Sequence, residues 1–518
     1  MTAHLSKLRQ HFTNWRHWEM NPVVVKELRQ AVRSWAVTGT LLLFLLVLFC
    51  SAVIFFVSQS FDASTNQRMG AQIFSTFSVI LTGASLLFIP LYIGVRVAAE
   101  RQESDLDLLY ISTLSPARII RGKFFCGAYV AVLFFSACMP FMTFTNLLRG
   151  VDLPSVFFIL LCLFLIVCCA VQIAIFLACL PISKLLKILL GIGAAIATFW
   201  LVAGLTFGIS ELMMQGVGSM MSNRGFWATF LTASSVIFAT MLLLHFLSIA
   251  LISPMSANRA RPIRIYMTIV WLIGAAVSFA WVFRENEARL IVPWAITSTI
   301  IFCLSLIVIV SNQDTLSIRV QRTIPERLPL RALAFLFYNG AAGGLLWAAA
   351  ILGITFFSML IMLRSHLYPS ALSEEYLDSA VYSIAAAICY AFDYALVGLL
   401  LHRKLLSRRP AKLAGIFAVL VPAAWALLPV LIFFFLNRLS SRDLEHIQLG
   451  NVFNIFVVGL KRQKQEHLAF AGGWLVLMLI LNFTWFVRQV KSFQPLRRAK
   501  PMPTGADTRP PILSATAN

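Results

Sequence analysis

Residues 35–57 read WAVTGTLLLFLLVLFCSAVIFFV, 23 positions without a single charge. A helix rises 1.5 Å per residue, so this stretch reaches ~34 Å, a little more than the roughly 30 Å of hydrocarbon in a bilayer. Inside hydrocarbon every backbone N–H and C=O must bond within the protein, which makes the stretch a spanning helix. Eleven further runs of similar length and composition follow: 72–98, 124–148, 155–180, 188–209, 226–252, 265–283, 291–311, 341–363, 380–401, 413–436 and 469–489. The expected fold is all-α, a polytopic transmembrane bundle of about 12 spans.

The bulk composition agrees. Of 518 residues, 59% are hydrophobic and 12% charged, against about 25% charged in a soluble chain. Mean hydropathy is +0.84. A soluble fold could not bury this much apolar surface, and a disordered chain would be poor in it. The nine cysteines lie in apolar runs without zinc or redox spacing, so they read as small packed hydrophobes. The first 34 residues are polar and basic, unlike a secretory signal peptide.

Charge sets the expected orientation. With the N-terminus inside and strict alternation, 31 of the 42 Lys and Arg fall on one face, and the other 11 meet 11 acidic residues on the opposite face. The positive-inside rule then puts both termini in the cytoplasm. The net charge of +21 is explained by topology, and nucleic acid is not expected as a partner. Domain boundaries follow from the spans: a leader 1–34, a first six-span half 35–252 with a connecting segment 99–123, a second six-span set 253–489, and a tail 490–518 expected to be disordered. Outer residues 447–460, IQLGNVFNIFVVGL, are apolar but too short to span. They read as interfacial or re-entrant.

Two segments on the inner face carry information. In WEMNPVVVKELRQAVRSW (18–35), Asn21-Pro22 is a helix start. Val24, Leu28, Ala31, Val32 and Trp35 then recur at helical spacing, with Lys26 and Glu27 mostly elsewhere. This predicts an interfacial amphipathic helix. In AERQESDLDLLYISTLSPARIIRGK (99–123), Glu100, Glu103, Asp105 and Asp107 are followed or interleaved by Leu106, Leu108 and Leu109. Ser104 with Asp107 fits a capping box, and Ser115-Pro116 caps and starts the next helix. An acidic, leucine-ridged helix of this kind suits docking into a groove on a cytoplasmic partner.

The run from Glu100 through Ser104-Asp105-Leu106-Asp107-Leu108-Leu109 and Ser112-Thr113-Leu114-Ser115-Pro116 to Gly122-Lys123 resembles the ABC type 2 permeases. Those permeases carry an acidic, leucine-rich segment between their second and third spans. The leader Asn21–Arg29 is similar to the family's interfacial elbow helix. Ser104-Asp105 and Thr113-Leu114 depart from the family's Gly-Thr and Thr-Pro. The resemblance covers about residues 18–125. It implies that residues 100–116 form a coupling region contacting a separate ATPase subunit, that ATP-Mg binds in that subunit, and that the chain is a permease of the bacterial cytoplasmic (inner) membrane, with export as the direction. A homodimer or a second permease subunit would complete the pathway. The family unit has six spans, which leaves spans 7–12 as a diverged repeat or an addition. The basic connection 312–340 reads as a second docking surface.

No phosphate loop, HExxH, GxSxG or dinucleotide turn occurs, so this chain is not expected to be an enzyme and needs no cofactor or metal of its own. Ionisable residues inside spans are costly, at about 2.5–3.5 kcal/mol on insertion scales, and default to functional candidates. Asp393 lies nine residues before His402, so about 13 Å deep. His245 lies at a similar depth, and Arg96 sits near the end of its span. Asp393 could clasp His245 or Arg96, relay an ion or proton, or stay protonated or face a water-filled cavity. An ion-coupled secondary transporter using Asp393 is therefore the alternative function. A lipid-linked glycosyltransferase is disfavoured, because the first outer loop carries only Asp62. The pairs Gly204/Gly208 and Gly340/Gly344 permit close helix approach.

Overall fold

The computed structural model describes residues 22–58, 69–100, 115–148, 151–215, 221–254, 256–312, 316–364, 374–435, 448–457 and 461–495. Twelve helices are long and apolar enough to cross a membrane, and no strand occurs among the described residues. The chain is an all-α polytopic bundle, as its apolar runs predict. Each spanning helix covers its predicted run to within a few residues, and most extend past it into polar sequence.

Two compact units divide the chain, one formed by residues 1–254 and 262–270, the other by 255–261 and 271–518. The first contains α1 (Pro22–Val32), α2 (Trp35–Ser58), α3 (Met69–Glu100), α4 (Pro116–Leu147), α5 (Leu153–Cys179), α6 (Lys184–Gln215), α7 (Arg224–Ile252) and the start of α8 (Ala260–Glu285). Its core is a triangle of α3, α4 and α5. Phe74, Phe77, Leu81 and Ile89 of α3, Ile120, Phe134 and Met142 of α4, and Val171 and Ile175 of α5 are buried there. Gly127 sets the approach of α4 to α5: a Cβ there would lie 2.6 Å from Val171 and 3.3 Å from Ile93. Helices α2 and α6 leave most of their apolar side chains exposed, as lipid-facing helices do. Gly204 and Gly208 of α6 face open space.

The second unit contains the rest of α8, a 3-10 turn Ala288–Ile291, α9 (Val292–Val310), α10 (Ile318–Gln321), α11 (Leu328–Phe337), α12 (Ala341–Arg364), α13 (Glu374–Leu405), α14 (Lys412–Phe435), α15 (Asn454–Val457) and α16 (Lys461–Ser492). Helix α13 is its axis, packed against α9, α14 and α16. Gly398 lets α14 come close, since a Cβ there would sit 2.5 Å from the Ala414 carbonyl oxygen. Gly340 has φ of 130° and precedes α12. The Gly340/Gly344 pair is therefore corrected: it begins on a turn and does not form a helix face.

Residues 448–450 form a turn followed by α15. The Gly450 N–H donates to the Tyr390 hydroxyl at 3.0 Å, and Tyr390 lies at the middle of α13. Ile455 is fully buried with Tyr390, Tyr394 and Ala471. Residues 448–457 are thus packed against α13 and α16.

Overpacking a tight helix contact destabilises by about 1–3 kcal/mol. Gly127→Val should therefore lower the thermal midpoint of the purified chain clearly. Gly83→Val on α3, where nothing lies within 4 Å of the new Cβ, should not. Equal midpoints for the two variants would contradict the packing of α4 on α5.

Candidate functional site

Helix α1 begins at Pro22, whose fixed φ suits the first turn. Val24, Glu27 and Ala31 are its buried positions, spaced at i, i+3 and i+7. Val32 and Trp35 are exposed, as expected of an interfacial helix beside lipid, and one expectation is corrected: Glu27 lies on the inner face with Val24 and Ala31. The apolar flank faces outward, as it can next to lipid, while the inner face takes Glu27 because its cationic partners are there. Lys26 is exposed. Asn21 lies outside the described residues.

Glu27 is paired twice. Its carboxylate is 3.2 Å from Lys123 Nζ and 3.3 Å from Arg96 Nη2. Lys123 sits two turns into α4, because that helix starts at Pro116 rather than at the apolar run. Lys123 Nζ also reaches Glu100 at 2.5 Å. Arg96 is one turn before Glu100 on α3. It donates to the Tyr92 hydroxyl at 2.9 Å and to the Gln30 side-chain oxygen, with its guanidinium 5.5 Å from the Tyr92 ring centre. Two carboxylates and two cations thus balance across three helices. The Glu27–Lys123 pair is the strong member, since those side chains are only 6% and 7% exposed. Glu100 is 45% exposed, so solvent screens its share.

This cluster holds both ends of the connection between α3 and α4. Glu100 is the last residue of α3, and Ser115 precedes Pro116 at the start of α4. The Ser115 carbonyl accepts from the Arg118 and Ile119 N–H groups at 2.9 and 3.3 Å. Its hydroxyl makes no cap, so the fixed φ of Pro116 starts the helix without it. Glu103, Asp105, Leu106, Asp107, Leu108 and Leu109 lie outside the described residues. Sequence reasoning singled out Glu27, Glu100 and Arg96 one at a time. It missed Gln30, Tyr92 and the pairing role of Lys123. The available signal was Lys123 within one helix of Pro116, which the hydropathy limit had placed in a loop.

Arg96 is committed to Glu27. His245 on α7 is half-buried with its ring near Phe246. Asp393 is fully buried, and neither of its carboxylate oxygens has a hydrogen-bond partner among the described residues. No group of three His, Cys, Asp or Glu able to hold a metal ion occurs among the described residues, and none of the nine cysteines is in a disulfide.

Comparisons with models of known families, with curated proteins and with solved structures found no match.

Removing one partner from a buried ion pair costs about 3–5 kcal/mol, because the other charge stays behind unpaired. Lys123→Met should destabilise the chain by that order in a denaturant titration. Adding Glu27→Gln should recover part of the loss. A Lys123→Met chain as stable as its parent would show that the pair carries nothing.

Proposed function

We propose that this chain is the membrane-spanning permease subunit of an ATP-binding-cassette exporter of the bacterial cytoplasmic membrane, driven by a separate ATPase subunit that binds ATP-Mg. What supports the reading most is the ion cluster Glu27–Lys123–Glu100 with Arg96. It flanks the acidic, leucine-rich residues 101–114, since Lys123 of α4 joins Glu100 at the end of α3 to Glu27 of the leader helix α1.

The mechanics follow from that arrangement. A partner holding Leu106, Leu108 and Leu109 in a groove, with basic groups facing Glu103, Asp105 and Asp107, would pull on Glu100 at one end and on Ser115-Pro116 at the other. A free loop would dissipate the displacement. Here α3 and α4 are joined at their ends through Lys123, and α1 is joined to both through Glu27. The pull therefore moves three helices as one body. Two of these helices, α3 and α4, belong to the packed core of their unit, so their displacement carries the bundle with it. The chain supplies the pathway and the lever, and nucleotide chemistry belongs to the partner. A homodimer or a second permease subunit would complete the pathway.

Charge reversal tests the reading. Glu103→Lys with Asp107→Lys should abolish co-purification of the ATPase from membranes, or leave it bound with ATP turnover no longer coupled to transport. Intact co-purification and intact transport in that variant would rule the reading out.

A further inference from the structure

Asp393 sits at the middle of α13 and is 0% exposed, with both carboxylate oxygens unpartnered among the described residues. One helical turn away, Tyr390 accepts the Gly450 N–H at 3.0 Å. Tyr394, next to Asp393, donates to the Gly450 carbonyl oxygen. Both neighbouring hydroxyls are thus engaged with Gly450. The Tyr390 hydroxyl also meets His467 Nδ1 at 3.1 Å, and His467 Nε2 faces the Asn454 side-chain amide nitrogen at 3.5 Å. Trp425 Nε1 holds the Leu449 carbonyl at 2.8 Å. Gly450 has φ of 99°, in the left-handed region that favours glycine, and a Cβ there would collide with Trp425. The segment 448–457 is therefore seated by polar contacts one turn from a buried acid.

Among the described residues no cation answers that acid. On α13 itself, Cys389, Tyr390 and Tyr394 are the nearby titratable groups, and Arg403, ten residues on, bonds Asn482 of α16. Helix α9 brings Cys303. Helix α12 brings Arg364, which pairs with Asp378 at 2.6 Å. Helix α14 brings only Lys412, at its first residue, and α15 brings none. On α16, Lys464 donates to Ser379 at 2.5 Å, His467 serves Tyr390, and Glu466, Arg488 and Lys491 lie toward the helix ends. An ionised carboxylate buried without hydrogen bond or counter-charge costs several kcal/mol, which a bound proton removes. A hard metal cation would need about six oxygen ligands, and here the adjacent hydroxyls are already used.

We propose that Asp393 is a proton-binding site of the second unit, loaded in the conformation described here and discharged when residues 448–457 withdraw from Tyr390 and Tyr394. Withdrawal frees two hydroxyls and admits water. The Asp393 O–H bond then breaks, its electron pair stays on the carboxylate oxygen, and water takes the proton as hydronium. Reseating the segment expels the water and requires the proton back. Opening and closing of this segment are thereby tied to uptake and release of one proton. The inference does not rest on the ATPase reading, since none of these residues belongs to the coupling cluster.

Infrared difference spectroscopy on the purified full-length chain tests it. A protonated carboxyl C=O band should be present at neutral pH in the parent, absent in Asp393→Asn, and lost as pH rises. Tyr394→Phe, which removes one bond to Gly450, should move that loss to lower pH by about one unit, a tenfold change in proton concentration. Asparagine mimics the neutral acid, so Asp393→Asn should unfold at the same temperature as the parent or higher. Absence of the band at neutral pH would overturn the proposal. So would a band that persists at every pH where the chain stays folded, or an Asp393→Asn chain that is strongly destabilised or fails to fold.

Discussion

A charge in hydrocarbon has to be paired, neutralised by a proton, or carried to the headgroups, because the insertion penalty is a large fraction of a protein's net stability. The two units of this chain meet that constraint differently. In the first, Glu27 and Lys123 neutralise each other at the margin of the bundle. The pairing holds a short amphipathic helix against two spans. In the second, Asp393 is buried on the axial helix without a counter-charge among the described residues. The first solution makes a rigid joint. The second leaves a group whose charge state depends on whether water reaches it.

The joint matters because the spans are otherwise held weakly. Lipid tails are as apolar as leucine, so helices in a bilayer associate through packing and polar contacts rather than through the hydrophobic effect. Close approach at Gly127 and Gly398 supplies packing. The ion cluster supplies the only four-membered charge network among the described residues, and it lies where the connection 101–114 leaves and rejoins the bundle. A lever needs a fulcrum that does not yield under load, and a pair that is costly to break serves as one.

The spans are legible in the sequence because hydropathy over some 20 residues is set locally by the need to satisfy backbone groups in lipid. Their ends are less so. Pro116 starts α4 eight residues before its apolar run, so Lys123 reads as a loop residue in the sequence and is a buried helical one in the fold. The leader helix is legible as a helix but not in its facing. Periodicity sets Glu27 apart from the apolar positions, whereas in the fold it turns inward to meet cations 69 and 96 positions away. Asp393 stands out in the sequence as a lone acid in an apolar run. Its neighbourhood does not, because Gly450 reaches Tyr390 across 60 positions and no local pattern encodes that return.

The account turns on which side of the membrane the connection between α3 and α4 occupies. The most direct measurement is labelling of a Glu103→Cys chain with a membrane-impermeant maleimide in right-side-out and inside-out vesicles, against the unsubstituted chain as background. The account predicts labelling in inside-out vesicles only, where a cytoplasmic ATPase could reach the residue. Labelling confined to right-side-out vesicles would contradict it.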